Sequence, residues 1–207
     1  LWGMRDIRGE MLGRLSVIMF EVKDKANPTH RINVPDDRKV SPNAEDMERI
    51  EVETAKIDKA LRHWRASDNV PFNFVWPIEG RVSGLFGRRR VFNGEERNPH
   101  SGIDIAAATG TEIMAPANGI VTDTDDYFFN GNTVMIDHGQ GLVTTFCHLD
   151  RIDVKAVQKI QQGEIIGTVG ATGRVTGPHL HLGVSLNNAR VEPLLFFPER
   201  EGYPSVQ

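Results

Sequence analysis

The chain has 207 residues, of which 39% are apolar and 25% charged, with a net charge of −4. Normal apolar content and low net charge exclude a disordered chain, and the length supports one domain with a sizeable core or two small ones. The longest apolar run near the start, Val17–Phe20, falls far short of the roughly 20 residues a membrane-spanning helix needs. A pI near 6.0 argues against nucleic-acid binding.

Residues 1–75 carry 13 basic and 13 acidic residues, so the acidic excess lies in residues 76–207 and does not favour a polyanionic partner. Leu1 stands where an initiating Met would, which leaves room for an upstream segment, so the lack of a signal peptide says little about export. Along the chain, Leu15–Val22 is a candidate strand and Asp36–Lys39 a solvated turn. The clearest helix spans 44–65, with Ser41 as its cap and Pro42 in its first turn. Met47, Ile50, Ile57, Leu61 and Trp64 form one stripe, expected to lie on the neighbouring domain. A partner-binding or coiled-coil helix is the alternative, weakly supported because three heptads lack e/g order. Val70–Pro77 follows as an extended connector that docks aromatic side chains.

Seventeen of the 20 glycines lie from residue 80 onward. Between them sit short candidate strands at Ile113–Ala115, Gly119–Thr122, Thr133–Asp137, Leu142–His148, Ile165–Val169 and His179–Ser185. This pattern predicts a mainly β, antiparallel domain over 76–200, preceded by a smaller extension over 1–75 that contains the helix. The extension is expected to be truncated or regulatory, and residues 201–207 form a tail.

Two histidine spacings carry chemistry. His100 and Asp104 flank Ser101, Gly102 and Ile103, which suit a turn entering a strand. In His179-Leu180-His181, strand periodicity sends both imidazoles to one face and Leu180 and Leu182 into the core. Each spacing alone occurs readily by chance. Together, same-facing imidazoles beside a carboxylate suit zinc, and three protein ligands leave a position for water.

Asn98–Ala106, Gly131–Gly139, Thr145–Leu149 and Gly163–His181 resemble, in order, the motifs of the lysostaphin/LytM-type zinc endopeptidases. The resemblance runs from about Trp76 to Phe197. It implies one zinc ion held by His100, Asp104 and His181, with His179 as general base and His148 orienting water or stabilising the oxyanion. It further implies hydrolysis of peptide cross-links in bacterial peptidoglycan, and therefore a periplasmic or secreted location. A D-alanine–diamino acid link is favoured over a glycine bridge by overall similarity to Gram-negative-type members. None of the five positions is substituted, which disfavours the alternative of a non-catalytic peptidoglycan-binding or hydrolase-activating module.

The remaining features have plainer readings. His138 precedes a turn and is expected to be a structural hydrogen-bonding residue, while His30 and His63 are expected at the surface. Cys147, the only cysteine, precludes an intramolecular disulfide and is expected to be buried packing. Asp123, Asp125 and Asp126 lack EF-hand spacing and suggest a solvated hairpin turn. Arg88–Arg90 is read as a charged strand end or loop ahead of a wall-polymer contact, and Asn132 as a turn residue. The extension over 1–75 is a candidate cover for the groove.

Overall fold

A computed structural model describes residue 21 and residues 27–204. Apart from Glu21, the strand expected over Leu15–Val22 lies outside the described residues. The extension supplies strand β1 (Thr29–Ile32) and helix α1 (Ala44–Leu61). Next come β2 (Arg81–Gly84), β3 (Arg89–Phe92), β4 (Glu95–Arg97), β5 (Ile103–Ala106) and β6 (Glu112–Met114). The long central strands are β7 (Gly119–Tyr127), β8 (Gly131–Gly139) and β9 (Leu142–Ile152). The chain continues through β10 (Lys159–Ile160), β11 (Ile165–Val169), β12 (His179–Leu186) and β13 (Ala189–Val191).

The main sheet runs β10-β7-β8-β9-β12-β5-β2, with β11 joining β9 to β6 and β13 edging β12. Its pairings are antiparallel, as expected. All six candidate strands of the glycine-rich region fall within or overlap observed strands. One pairing departs from the antiparallel pattern: β1 runs parallel to β3 in a separate sheet ordered β1-β3-β4.

Period-2 alternation gives the main sheet two apolar faces. Val134 and Ile136 of β8 enter the large core with Phe146, Leu180 and Leu182, whereas Met135 points the other way. On that second face Met135, Tyr127 and Val143 receive Ala60 and Leu61 of α1.

The helix departs from its sequence reading in two ways. Its cap is Asn43, whose side chain accepts from Asp46 N in a reciprocal capping box, so Ser41 and Pro42 lie before it. It ends at Leu61 rather than residue 65, which takes Trp64 out of helical phase. Leu61 and Ile57 of the expected stripe dock on the sheet, whereas Met47 and Trp64 at its two ends are 51% and 58% exposed. The rest of the contact is largely polar: Glu53 accepts from Phe128 N and from Arg49, and Arg49 reaches the Asp126 carbonyl. Lys56 pairs with Asp125 and the Tyr127 hydroxyl donates to Asp123, so these three acids belong to the helix dock rather than to a solvated turn. Asp36–Lys39 is likewise more than a solvated turn. Its 3-10 turn supplies Arg38 to buried Asp46 and Lys39 Nζ to the Phe128 carbonyl at 2.7 Å.

The connector docks its aromatic residues as anticipated, apart from exposed Phe72. Phe74 is buried, with its N–H donating to Phe196 O, and Trp76 stacks on Phe197 at 4.5 Å and meets Tyr203 at 4.4 Å.

Candidate metal centre

The register of β5 against β12 places Asp104 opposite His181 and Ala106 opposite His179. Leu180 and Leu182 are fully buried, so the two imidazoles share the other face. His100 enters from the turn before β5. Its backbone N–H donates to Arg88 O at 2.9 Å, and its carbonyl accepts from Gly87 N at 2.8 Å.

Hydrogen bonding assigns the ring tautomers. A backbone carbonyl can only accept, so His100 Nδ1, 2.9 Å from Leu85 O, carries the proton and Nε2 carries a lone pair. That Nε2 lies 3.0 Å from both Asp104 Oδ1 and His181 Nδ1, and these two atoms are 2.9 Å apart. A proton on His181 Nδ1 would satisfy one of these contacts and leave the remaining lone pairs facing each other. A cation at their meeting point satisfies all three, and two imidazole nitrogens with a carboxylate oxygen match the preferences of zinc.

Two glycines leave space for the donors. A Cβ at Gly84 would sit 2.2 Å from Asp104 Oδ2. One at Gly102 would sit 2.9 Å from His181 Nε2 and 2.3 Å from Leu182 O. Burial pushes the Asp104 carboxyl upward, but the close approach of His100 and His181 outweighs it and holds it well below the usual range. Burial pushes His181 down.

The other two imidazoles flank this point. His179 donates Nδ1–H to Gly177 O at 2.9 Å, leaving a bare Nε2 that lies 3.7 Å from Asp104 Oδ1. His148 donates Nδ1–H to Thr172 O at 2.9 Å, and its ring centroid is 4.9 Å from that of His179. A bulge in β9 puts His148 at φ 67°, and this left-handed backbone turns its ring away from the strand's regular alternation. Burial and the neighbouring imidazoles lower His148 to about 3, so it is held neutral.

These five residues line a cavity of about 290 Å³. His30 is exposed, as expected, and also lines the cavity wall together with Ile32 and Val34 from the extension. Arg88, Arg90 and Arg174 also line it, so the basic run is more than a strand end. Neither Arg174 nor the β1 residues carried a sequence signal, because only the β1–β3 pairing and the loop before β12 bring them to the cavity.

Other residues lie elsewhere. His138 is buried, donating to Asn118 O and accepting from Thr144 Oγ1. Asn132 sits in β8 rather than a turn, its amide donating to the Leu149 and Asp150 carbonyls. His63 is largely exposed, 3.8 Å from buried Asp137. Cys147 is buried, and burial pushes its thiol up to about 12.

An antiparallel β-sheet presenting a His/Asp/His donor set with two further imidazoles defines a β-sheet protein with a candidate metal centre. Residues 98–193 match the model of peptidase family M23. The chain is 41% identical over 118 residues to peptidoglycan DD-endopeptidase ShyA of Vibrio cholerae, covering 56% of this chain and 26% of that protein. It spans about a quarter of the length of the curated relatives it matches. A solved peptidase M23 from Pseudomonas aeruginosa is 47% identical with a TM-score of 0.65, over 74% of this chain and 62% of that one. A zinc containing peptidase from Vibrio cholerae is 33% identical with a TM-score of 0.54, over 57% of this chain and 38% of that one. The catalytic domain of the prophage-encoded M23 protein EnpA from Enterococcus faecalis is 32% identical with a TM-score of 0.50; 57% of this chain covers 94% of it. The chain belongs to peptidase family M23.

Proposed function

We propose that this chain is a zinc-dependent endopeptidase that hydrolyses peptide cross-links of bacterial peptidoglycan, acting in the periplasm or outside the cell. The observation that carries the reading is the convergence of His100 Nε2, Asp104 Oδ1 and His181 Nδ1 within 3.0 Å of one another, beside a bare His179 Nε2. Family membership and the name of ShyA as a peptidoglycan DD-endopeptidase support it.

In this reading His100, Asp104 and His181 hold the metal. A bound zinc ion supplies a Lewis acid for the scissile carbonyl and lowers the pKa of water to about 7. His179 Nε2 accepts the proton of the attacking water, because its Nδ1–H is committed to Gly177 O. The proton then passes to the leaving amine. His148 also presents a bare Nε2, so it orients water as an acceptor; stabilising an oxyanion would first require its protonation. The extension restricts access to the groove, since Ile32 and Val34 form part of its wall. An Ile32→Ala variant that cleaves soluble muropeptides no faster than wild type would remove that restriction from the reading.

The test is hydrolysis of purified peptidoglycan by wild type and His179→Ala, with zinc measured in both. Cleavage by wild type alone, with zinc in both samples, is expected. Zinc without cleavage by either would favour the non-catalytic wall-binding module.

A further inference from the structure

Three arginines, Arg88, Arg90 and Arg174, line the cavity that holds the candidate metal donors. Among the described residues, none of the three has a carboxylate oxygen within the 4.0 Å of an ion pair. Arg88 Nε is buried without a hydrogen-bond partner. Arg90 donates only to the Asn98 and Pro99 carbonyls, at 3.1 and 3.5 Å, and Arg174 only to Lys39 O at 3.3 Å. The Arg174 guanidinium lies between two rings, 4.8 Å from Phe92 and 4.2 Å from Phe129.

A structural role alone does not account for this cluster. Buried cations are costly unless paired, and like charges gathered together add to the cost. Burial lowers Arg174 to about 10, with Arg90 and Arg97 adding to the effect, and burial also lowers Arg90. Elsewhere the same chain pairs its cations: Arg49 with Glu53, Lys56 with Asp125, Arg65 with Asp137. Asp104, the carboxylate whose charge Arg90 senses, is committed to His100 and His181. The cleft therefore gathers three arginines and free N–H donors with no carboxylate other than the committed Asp104. Arginine forks match a carboxylate in geometry as well as charge.

We propose that Arg88, Arg90 and Arg174 form a carboxylate-binding subsite of the cleft. Its ligand is the free carboxyl group on the carbon bonded to the scissile nitrogen in a D-alanine–diamino acid cross-link. The subsite rests on the endopeptidase reading for the identity of its ligand. It selects against a glycine bridge, and against a cross-link through a lysine side chain, because neither carries a carboxylate at that carbon. β1 contributes by pairing with β3, which sets His30 beside Arg90 and Ile32 beside Phe92.

The test uses two soluble cross-linked peptides that differ only in this group, one a free acid and one its carboxamide. Cleavage gives KM and kcat, and calorimetry on His179→Ala gives Kd without turnover. Wild type is expected to show a KM about tenfold lower for the acid at similar kcat, with the same preference in Kd. Arg88→Gln should abolish most of that preference while retaining zinc, and Arg174→Lys, which keeps charge but loses the fork, should retain part of it. Equal KM and Kd for acid and amide in wild type overturn the subsite, as does a preference undiminished in Arg88→Gln and Arg174→Lys. If neither peptide is cleaved but the acid binds more tightly in an Arg88-dependent way, the subsite stands and the endopeptidase reading falls. If both are cleaved alike, the reverse holds.

Discussion

The rungs of β5 and β12 that carry the candidate metal donors and the face of β7 and β8 that receives α1 belong to one sheet, and they treat polar atoms in opposite ways. At the helix dock each charge meets its complement: Glu53 takes the Phe128 N–H and Arg49, Lys56 meets Asp125, and Asp123 takes the Tyr127 hydroxyl. At the candidate metal centre three lone-pair atoms lie within 3.0 Å of one another, and two more imidazoles with bare Nε2 atoms stand beside them. A fold is stabilised by satisfying polar groups, so a place where the chain withholds satisfaction marks where a ligand belongs. The difference is built locally. Gly84 and Gly102 keep space around the donors, whereas Leu61 and Ala60 fill the space at the dock.

Substitutions at the two regions should separate along this line. The largest effect is expected at His179→Ala, which should lower kcat on soluble muropeptides by about 10³-fold while leaving the melting temperature and zinc content near wild type. A parallel loss of zinc would move His179 into the ligand set. At the dock, Leu61→Ala should cost about 3 kcal/mol in urea unfolding, since Leu61 is 2% exposed, with little change in the KM of the folded fraction.

The third test uses pH. Burial holds His138 at about 4 in the folded state, against 6.5 when unperturbed. The unfolded chain therefore takes up a proton between these values that the folded chain refuses. Stability is full above that window and falls as pH drops through it, by about 2 kcal/mol between pH 7 and pH 5. A His138→Gln variant, compared by urea titration at both pH values, should lose this share of the dependence. Gly84→Ala should lower zinc affinity about tenfold without unfolding the chain, because its Cβ strikes the movable end of Asp104; unchanged affinity would show the donors to be less confined than their packing indicates. The smallest effect is expected at Trp64→Ser, within 0.5 kcal/mol for a side chain that is 58% exposed. A larger loss, or a loss of self-association, would restore the helix stripe as an interface.

The gathering of the candidate donors was legible because strand periodicity is a local rule: His179 and His181 had to share a face, and the turn-forming Gly102 argued against a helix through His100. The register that sets Asp104 opposite His181 is a long-range pairing, and the motif resemblance supplied that part of the expectation. The helix was found, and Ile57 and Leu61 of its stripe do dock, but Met47 and Trp64 do not. Apolar periodicity identifies the face of a helix that packs on apolar neighbours, and α1 meets the sheet through Arg49, Glu53 and Lys56, with only its last turns on apolar ground. Arg174 and the β1 wall escaped notice because nothing local distinguishes a cavity-lining arginine from a solvated one.

The aromatic clasp at the edge of the sheet bears on how such a domain is used. Phe74 and Trp76, where the chain comes into the β-rich region, lie directly against Phe196 and Phe197, where it leaves. Adjacent points of arrival and departure make the region a cassette: polypeptide attached before it and after it emerges side by side at the aromatic clasp. Fusion partners of any length can then be added on either flank without threading through the sheet or stretching it.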